Sequence, residues 1–237
     1  MRIIRELRNL LALNSFRNMY GDSECIIVGN GPSVEVNDLK LIQDSGKVIF
    51  TFNRFYLAYE QLELEFFRPD FIMSIDPQMI KDFGQDIIDN RNDATVFFGI
   101  NNRNALEGEY ISFYIKNRIP FLFQKTPFNR ISTGDSSVIA AIQMAYFMGM
   151  KKIYLYGVDH NFKHDIKSSD GMVKGGSNHF IKDYRSGRKW HPPVSENIEL
   201  AFKACDKYLR ERDGYIVNCS RRTKLDNIER MDLNDCL

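Results

Sequence analysis

The side chains best suited to acid–base chemistry follow one apolar stretch of the chain. Residues 152–157 are rich in isoleucine, leucine and tyrosine, and Asp159 and His160 come directly after them. The region 160–193 holds several glycines, the only tryptophan and all four histidines: His160, His164, His179, His191 and Trp190. The unperturbed pKa of a histidine side chain lies close to working pH, so a histidine here could accept or donate a proton during a reaction. The sequence therefore predicts an active site after residue 157, under a lid at 160–193.

A second candidate site is the segment Gly29-Asn-Gly-Pro-Ser33, which follows the apolar residues 25–28. A strand that leads through a glycine-rich turn into a helix has the form of a phosphate-binding loop. Gly29 and Gly31 permit a tight turn, and Ser33 could cap the helix or donate a hydrogen bond. Val34 stands where a dinucleotide fingerprint needs its third glycine, which argues against a standard NAD site. The alternative is a plain turn between strand and helix.

Polar residues also follow the other predicted strands. Asn53 closes the strand at 47–52. Asp76 closes the next strand, which lies within residues 69–76, and Asn101-Asn102 follow a strand at 94–99. Arg221, Arg222 and Lys224 come soon after a last strand at 215–217. One such ending means little, because asparagine and aspartate favour turns. Since the carboxyl ends of parallel strands meet at one edge, the run of them indicates a binding edge.

The elements that would position these residues alternate between strands and helices. Residues 130–134 are predicted to open a long apolar helix that ends at Gly149, with Ser132, Thr133 and Gly134 at its anion-binding N-terminus. The strand at 152–157 follows after a short turn, and another helix runs from Ser195 to about residue 212. Weaker patterns suggest strands near 112–114 and 121–123. We predict an α/β fold, a Rossmann-like, mostly parallel sheet flanked by helices with a long lid region.

Composition narrows the class of protein. With 237 residues, 43% hydrophobic content and a net charge of +1, the chain is an ordinary globule without the field that attracts nucleic acid. Its four cysteines are scattered, which favours free thiols in a reducing cytoplasm over disulfides or zinc. We expect no membrane span, and divide the chain into a basic amphipathic helix at 1–20 and one domain at 21–237. That helix either packs on the domain or contacts the inner membrane face.

Five motifs follow one another along the chain: Gly29-Asn-Gly-Pro-Ser33, Asn53-Arg-Phe-Tyr56, Arg130-Ile-Ser-Thr-Gly134, Ile153-Tyr-Leu-Tyr-Gly-Val-Asp159 and Ser177-Asn-His-Phe180. In this order they resemble those of the bacterial lipooligosaccharide sialyltransferases of glycosyltransferase family 42. They also resemble the wider domain-of-unknown-function 115 group, which includes flagellin nonulosonate transferase-like and pterin pyrophosphokinase-like proteins. The resemblance covers most of residues 24–181.

The resemblance implies roles for individual residues. It assigns His179 as the catalytic base, and it gives donor binding to Asn30, Ser33, Asn53, Arg130, Ser132, Thr133 and Gly134. Where the family has two tyrosines that neutralise the departing phosphate, this chain has His160 and Asn161. We include His160 as a second catalytic residue and Gly29, Gly31, Asp159 and Asn161 as substrate-binding residues. His160, Lys163, Arg185 or Arg188 could stabilise the phosphate.

These observations favour an inverting glycosyltransferase. It would move an acidic sugar (sialic acid, another nonulosonate or Kdo) from a CMP-activated donor to a hydroxyl of a surface glycan, with no metal or other cofactor required. A Mg²⁺-dependent pyrophosphokinase with Asp76 and Asp159 as metal ligands is the enzymatic alternative. A non-catalytic nucleotide-binding partner in glycan assembly is another. A zinc site at Asp159, His160, His164 and His179 is less favoured, because no cysteine lies near. The oligomeric state stays open, with a homo-oligomer allowed.

Overall fold

The computed structural model describes residues 2–21, 23–100, 106–117, 120–163, 166–167, 169, 171–174 and 178–237. Asn101, Asn102 and His164 lie outside these ranges, so the predictions made for them have no structural counterpart. The described chain forms an eight-stranded parallel sheet with helices on both faces. This confirms the α/β prediction.

Seven helices occur in the described residues. They are α1 Arg2–Ser15, α2 Val36–Asp44, α3 Leu57–Gln61, α4 Pro77–Asp89, α5 Ser137–Phe147, α6 Ser195–Arg210 and α7 Leu233–Cys236. The first half of the strands comprises β1 Glu24–Val28, β2 Val48–Phe52, β3 Phe71–Ser74, β4 Thr95–Gly99, β5 Ile111–Phe113 and β6 Ile115–Lys116. The second half comprises β7 Ile131–Ser132, β8 Lys152–Tyr156, β9 Ile166–Lys167, β10 Val173–Lys174, β11 Tyr215–Asn218 and β12 Glu229–Arg230.

The order of strands in the main sheet places the binding edge. The order is β12-β11-β8-β1-β2-β3-β4-β5. The chain builds outward from β1 to β5, then crosses back to β8 on the other side of β1. The sheet therefore has its topological switch point between β1 and β8, and in such folds ligands bind outside the carboxyl ends of the two strands. Both predicted motifs, the glycine segment at 29–33 and Asp159 with His160, begin at this point.

Two helical layers cover the sheet. On one face α1, α5 and α6 bury side chains such as Leu13, Ile139 and Phe202 against alternate residues of the strands. On the other face the buried side chains include Leu39 of α2 and Leu233 of α7. The strands are buried almost throughout, as expected of a parallel sheet covered on both sides. All four cysteines are free and buried, as predicted.

Several predicted boundaries are wrong. Residues 130–134 do not open a helix: Ile131–Ser132 pairs with Ile115–Lys116 as a short strand, and α5 begins at Ser137 with Ser136 as its cap. Residues 121–123 are irregular rather than a strand. Helix α1 ends at Ser15 instead of near residue 20. No prediction was made for β12 and α7, because elements this short show no hydrophobic periodicity in the sequence.

Helix α1 packs on the domain with one face only. Leu13 is buried, and Asn9 exchanges hydrogen bonds with the backbone of Ser112 on β5, its Nδ2 donating to the carbonyl oxygen at 2.8 Å and its Oδ1 accepting from the amide at 2.8 Å. The opposite face leaves Ile4, Leu7 and Leu11 about 60% exposed, at 59%, 57% and 62%. Among the described residues, helices lack the combined length and apolar character that crossing a bilayer requires.

Candidate functional site

The glycine segment at 29–33 is folded tightly against the end of β8. The amide of Gly29 donates to the Tyr156 carbonyl oxygen at 2.7 Å, and the amide of Gly31 donates to the Gly157 carbonyl oxygen at 2.9 Å. A Cβ at Gly31 would lie 2.6 Å from both the Gly157 carbonyl oxygen and the carboxyl carbon of Asp159, so only glycine fits there. These amides are satisfied within the protein. The segment is therefore a brace between two strand ends, which corrects the expectation of a phosphate-cradling loop.

Asp159 completes this brace. Its Oδ2 accepts from the Ser33 amide at 2.8 Å, and its Oδ1 accepts from the Ser33 hydroxyl. Burial raises the pKa of Asp159, although both Ser33 hydrogen bonds and the charge of Arg222 act in the opposite direction. Ser33 is thus not a helix cap: α2 begins at Val36, with Glu35 before it. The amide and hydroxyl of Ser33 and both carboxylate oxygens of Asp159 are used in these two hydrogen bonds. The two predicted site residues therefore lie together but bind each other.

His160 is positioned by an acidic partner on α6. Its Nε2 lies 3.1 Å from Oε1 of Glu199, and its side chain is only 4% exposed. The ring also meets Phe162 edge-on, with centroids 5.5 Å apart. Because an ionised carboxylate can only accept, it places the ring proton on Nε2 and leaves Nδ1 as the free acceptor. Asn161 follows on the same loop and is partly exposed.

Two anchored neighbours fix the position of His179. Asn178 exchanges two hydrogen bonds with the backbone of Lys163, on the loop after His160. The amide of Phe180 donates to the Asn30 carbonyl oxygen at 3.0 Å. His179 therefore lies between segments tied to the loops that follow β8 and β1. These contacts join the segment 178–180 to both loops of the switch point.

The imidazole of His179 is held in its neutral form. The ring stacks on Tyr184, with centroids 3.7 Å apart and planes 13° apart. Burial lowers the pKa of His179 to about 3, and the nearby positive charge of Arg185 contributes to the lowering. A base this weak is far from the pKa that suits proton transfer near neutral pH.

The turn at 180–188, here called the arginine turn, is docked over the ends of β1 and β2. Arg54, directly after β2, is buried and donates to the Tyr184 carbonyl oxygen and to the Ser186 hydroxyl at 3.0 Å. The hydroxyl of Tyr184 accepts from Asn30 Nδ2 at 2.9 Å. On the outer side, Arg188 pairs with Asp82 of α4 at 2.7 Å. Part of the predicted lid is thus an ordered cover in this structure.

Four buried polar atoms, at the ends of three strands and in the arginine turn, have no hydrogen-bond partner within the described part of the chain. Asn30 Oδ1, Asn53 Oδ1 and Ser74 Oγ follow or end β1, β2 and β3, and Arg185 Nε comes from the arginine turn. An unsatisfied buried polar atom costs ~1–3 kcal/mol, so such atoms in a native site point to a missing ligand or water. The set offers acceptors, which suit hydroxyl or amino groups, and a cationic donor, which suits an anion.

The segment 130–134 forms a neighbouring surface. Arg130 and Ser132 line a cavity of about 390 Å³ together with Lys116, Gln124, Phe128 and Asn129. Thr133 is buried, and a Cβ at Gly134 would lie 2.4 Å from Cβ of Ala201 on α6, so this turn packs under α6. Among the described residues, no hydrogen bond joins this segment to residues 29–33.

Sequence reasoning did not identify Glu199, which contacts His160, or Tyr184, which stacks on His179, as site residues. Neither lies in a motif, and no pattern in the sequence marks the contacts that they make. It also placed Arg221 free on the binding edge, whereas Arg221 makes two hydrogen bonds to Asp38, at 2.7 and 2.8 Å. Tyr156 donates to the same carboxylate. Arg221 is thus part of a structural network behind the site.

The carboxylates proposed as Mg²⁺ ligands already take part in other hydrogen bonds and ionic contacts. Asp76 caps α4, its Oδ1 accepting from the amides of Gln78 and Met79 at 2.8 and 3.3 Å. Its Oδ2 lies 3.6 Å from Arg185 Nη1. Both oxygens of Asp159 accept from Ser33. Across the described ranges, no group of three or more histidine, cysteine, aspartate or glutamate residues is arranged to hold a metal ion.

Comparisons with known proteins agree with this architecture. Neither the curated proteins nor the solved structures contain a match to the chain. A family model described as 6-hydroxymethylpterin diphosphokinase MptE-like matches residues 1–165, which include β1, β8 and both loops of the switch point. Because that match spans more than half of the sequence, the chain belongs to the MptE-like family.

Proposed function

We propose that the protein is a nucleotide-dependent transferase that binds its donor at the β1/β8 switch point and passes an activated group to a hydroxyl acceptor. The observation that supports this most directly is the His160–Glu199 pair at the carboxyl end of β8. A carboxylate that fixes the tautomer of a buried imidazole is the usual arrangement of a general base. The Asn30 and Asn53 oxygens after β1 and β2, which have no hydrogen-bond partner among the described residues, suit the hydroxyl and amino groups of a nucleoside.

The transferred group that we propose is an acidic sugar carried by CMP. The resemblance of the motifs to sialyltransferases supports this choice. In the reaction, the acceptor hydroxyl attacks the anomeric carbon while the bond from that carbon to the CMP phosphate breaks. The bonding electrons go to the phosphate oxygen, and the acceptor proton goes to Nδ1 of His160. CMP leaves, and one hydroxyl of the glycan becomes a glycosidic oxygen.

The geometry favours His160 over His179 for the proton transfer. His179 is the base that the resemblance implies. With a pKa of about 3, its imidazole accepts a proton only weakly at working pH. We therefore assign His179 to hydrogen bonding with the substrate in its neutral form. Its stacking on Tyr184 keeps the ring in place for that role.

A second candidate is pyrophosphate transfer from a nucleoside triphosphate to a hydroxymethyl group. The family match over residues 1–165 favours it, because the family is described by a pterin diphosphokinase. In this reaction Mg²⁺ would neutralise the triphosphate, and Asp76 Oδ2 is the carboxylate oxygen best placed to approach it. The acceptor proton would again go to His160. Asp159 fits this role less well, because Ser33 holds both of its oxygens.

A thermal-shift titration separates the two reactions. The purified protein is melted with CMP, CDP, UDP, GDP and ATP, each with and without Mg²⁺. A ligand at about a hundredfold excess over its Kd stabilises the folded state by about 2.7 kcal/mol. Stabilisation by CMP without Mg²⁺ supports the glycosyl transfer, and stabilisation by ATP only with Mg²⁺ supports pyrophosphate transfer. Absence of any response contradicts both reactions.

We also propose that α1 brings the enzyme to the inner face of the cytoplasmic membrane. Its outer face exposes Ile4, Leu7 and Leu11, and the sequence of the helix carries three arginines against one glutamate. An apolar face flanked by positive charge is the pattern of helices that lie on anionic bilayers. A surface location would suit an acceptor glycan that is built on a lipid carrier.

A further inference from the structure

The phosphate of a nucleotide needs a binding group that the glycine segment at 29–33 does not supply. The amides of Gly29, Gly31 and Ser33 already donate to Tyr156, Gly157 and Asp159. The next most common solution is a side-chain cation, and a guanidinium is the best matched because it donates two parallel hydrogen bonds to phosphate. We therefore compared the arginines around the crevice.

Three arginines belong to the arginine turn or contact it: Arg54, Arg185 and Arg188. Arg54 donates to the backbone of the arginine turn and lies over the ring of Phe83, with its guanidinium carbon 3.9 Å from the ring centroid. Arg188 pairs with Asp82 at 2.7 Å. Both hold the arginine turn in place. Arg54 could bind a ligand only by releasing that turn, and Arg188 already has a carboxylate partner.

Arg185 differs from both. Its Nε is buried and has no hydrogen-bond partner among the described residues, and its Nη1 is 3.6 Å from Asp76 Oδ2, longer than an ordinary hydrogen bond. The side chain is 24% exposed, and its guanidinium carbon lies 5.6 Å from the ring centroid of Trp190. A partly buried guanidinium with an unused donor is costly unless an anion completes its hydrogen bonds.

The position of Arg185 relates it to the crevice. The residue directly follows Tyr184, whose ring stacks on His179 and whose hydroxyl accepts from Asn30. The charge of Arg185 is close enough to His179 to contribute to the lowering of its pKa. An anion held by Arg185 would thus act on the His179 imidazole, as the charge of Arg185 itself does.

We propose that Arg185 is the phosphate-binding residue of the crevice, its partly exposed guanidinium receiving the phosphate of the bound nucleotide. This inference rests on the proposed nucleotide-dependent transferase function and names the residue that performs one part of it. Asp76, across the guanidinium, would fix the orientation of Arg185 without consuming the donor that faces the ligand.

Paired titrations of nucleotide and nucleoside test this assignment. Calorimetry measures Kd for CMP and cytidine, and for AMP and adenosine, with the wild-type protein, with Arg185→Gln and with Arg188→Gln. A hydrogen bond to a charged group contributes ~1.5–3 kcal/mol, which corresponds to about a 10- to 100-fold change in Kd. Arg185→Gln should weaken CMP binding by this factor and leave cytidine binding within about twofold.

Arg188→Gln is the matched control, because it removes an arginine from the same turn that already has a carboxylate partner. It should change CMP and cytidine binding by similar factors. An unfolding curve of each variant shows that the fold is retained. Arg185→Lys supplies a second check: it keeps the charge but loses the fork of donors, and its CMP affinity should fall between those of wild type and Arg185→Gln.

The outcomes of these titrations test the assignment of Arg185 and the proposed function separately. If the wild type binds CMP more tightly than cytidine and Arg185→Gln leaves that ratio unchanged, Arg185 is not the phosphate ligand, although the proposed function stands. If the ratio collapses only in the Arg185 variants, the assignment is supported. If the wild type binds none of the four compounds and ATP with Mg²⁺ also fails to bind, the proposed function and the assignment both fall.

Discussion

His160 at the carboxyl end of β8 and Glu199 on α6 lie 3.1 Å apart, joined through Nε2 and Oε1. The helix that covers one face of the sheet thereby places a carboxylate on the histidine that emerges at the switch point. The imidazole is almost fully covered, while the carboxylate is 47% exposed and accessible to solvent. A neutral His160 in this pair carries its ring proton on Nε2, and under the proposed function its Nδ1 receives the proton of the acceptor hydroxyl.

Glu199→Gln is expected to reduce turnover by about 10- to 100-fold, the usual effect of losing a residue that orients a reacting histidine. Glutamine can donate as well as accept, so it no longer specifies which ring nitrogen carries the proton. His160→Gln should cost more, ~10²–10⁴-fold, because it removes the base itself. The measurement is kcat for the donor identified by thermal shift. Glu196→Gln, an exposed residue on the first turn of the same helix, is the control and should retain full activity.

The stability of the protein should decrease on mild acidification because of His179. Its pKa is lowered to about 3 in the folded protein, so the unfolded chain takes up a proton near pH 6.5 that the folded protein does not bind. The stabilisation is complete above pH 6.5 and is lost as pH falls towards 3. Thermal unfolding between pH 7 and 4 measures this loss, which should be smaller in His179→Gln.

His191→Gln provides the comparison for that experiment, since His191 is exposed. Its pH profile should match that of the wild type. An equal flattening of the profile in both variants would mean that the burial of His179 is not what makes the protein acid-sensitive.

The fold could be predicted from the sequence because its signals are local. Apolar runs followed by turns mark the strands, and the step from an apolar helix to the strand at 152–156 indicates a parallel sheet. Strand endings such as Asn53 and Asp159 were placed correctly, since they follow directly from where an apolar run stops. The starts of helices were harder to predict. Ser132 and Ser136 are both residue types that cap helices, and only the pairing of Ile131–Ser132 with β6 shows that Ser136 is the cap of α5.

The contacts of the candidate site could not be predicted in the same way. Arg221 and Asp38 are 183 positions apart, and His160 and Glu199 are 39 apart. Such pairs depend on how helices are rotated against the sheet, which no periodicity in the sequence specifies. The amides of residues 29–33 are a similar case, because a glycine-rich turn looks the same in sequence whether its N–H groups face a phosphate or, as here, the end of β8.

Replacement of Gly31 by alanine should abolish ligand binding and destabilise the fold. The added Cβ would lie 2.6 Å from the carboxyl carbon of Asp159 and from the Gly157 carbonyl oxygen, forcing the two strand ends apart. Overpacking of this kind typically costs ~1–3 kcal/mol. The measurement is the free energy of unfolding in denaturant together with the CMP thermal shift. Gly46→Ala is the control, because its Cβ meets open space and only its left-handed backbone, with φ of +69°, opposes the change at about 1–2 kcal/mol.

Helix α1 should bind vesicles that contain anionic lipid. Leu7→Glu and Leu11→Glu place a negative charge in the exposed apolar face and should prevent co-flotation with phosphatidylglycerol vesicles, while the free energy of unfolding changes by no more than about 0.5 kcal/mol. The same substitution at Leu200, which is 64% exposed on α6, controls for a general effect of added charge and should leave flotation intact. Binding to neutral phosphatidylcholine vesicles should be weaker, because the attraction to the arginines is lost. If the α1 variants float as well as the wild type, this face does not contact the membrane, and a protein partner becomes the better explanation of its exposed leucines.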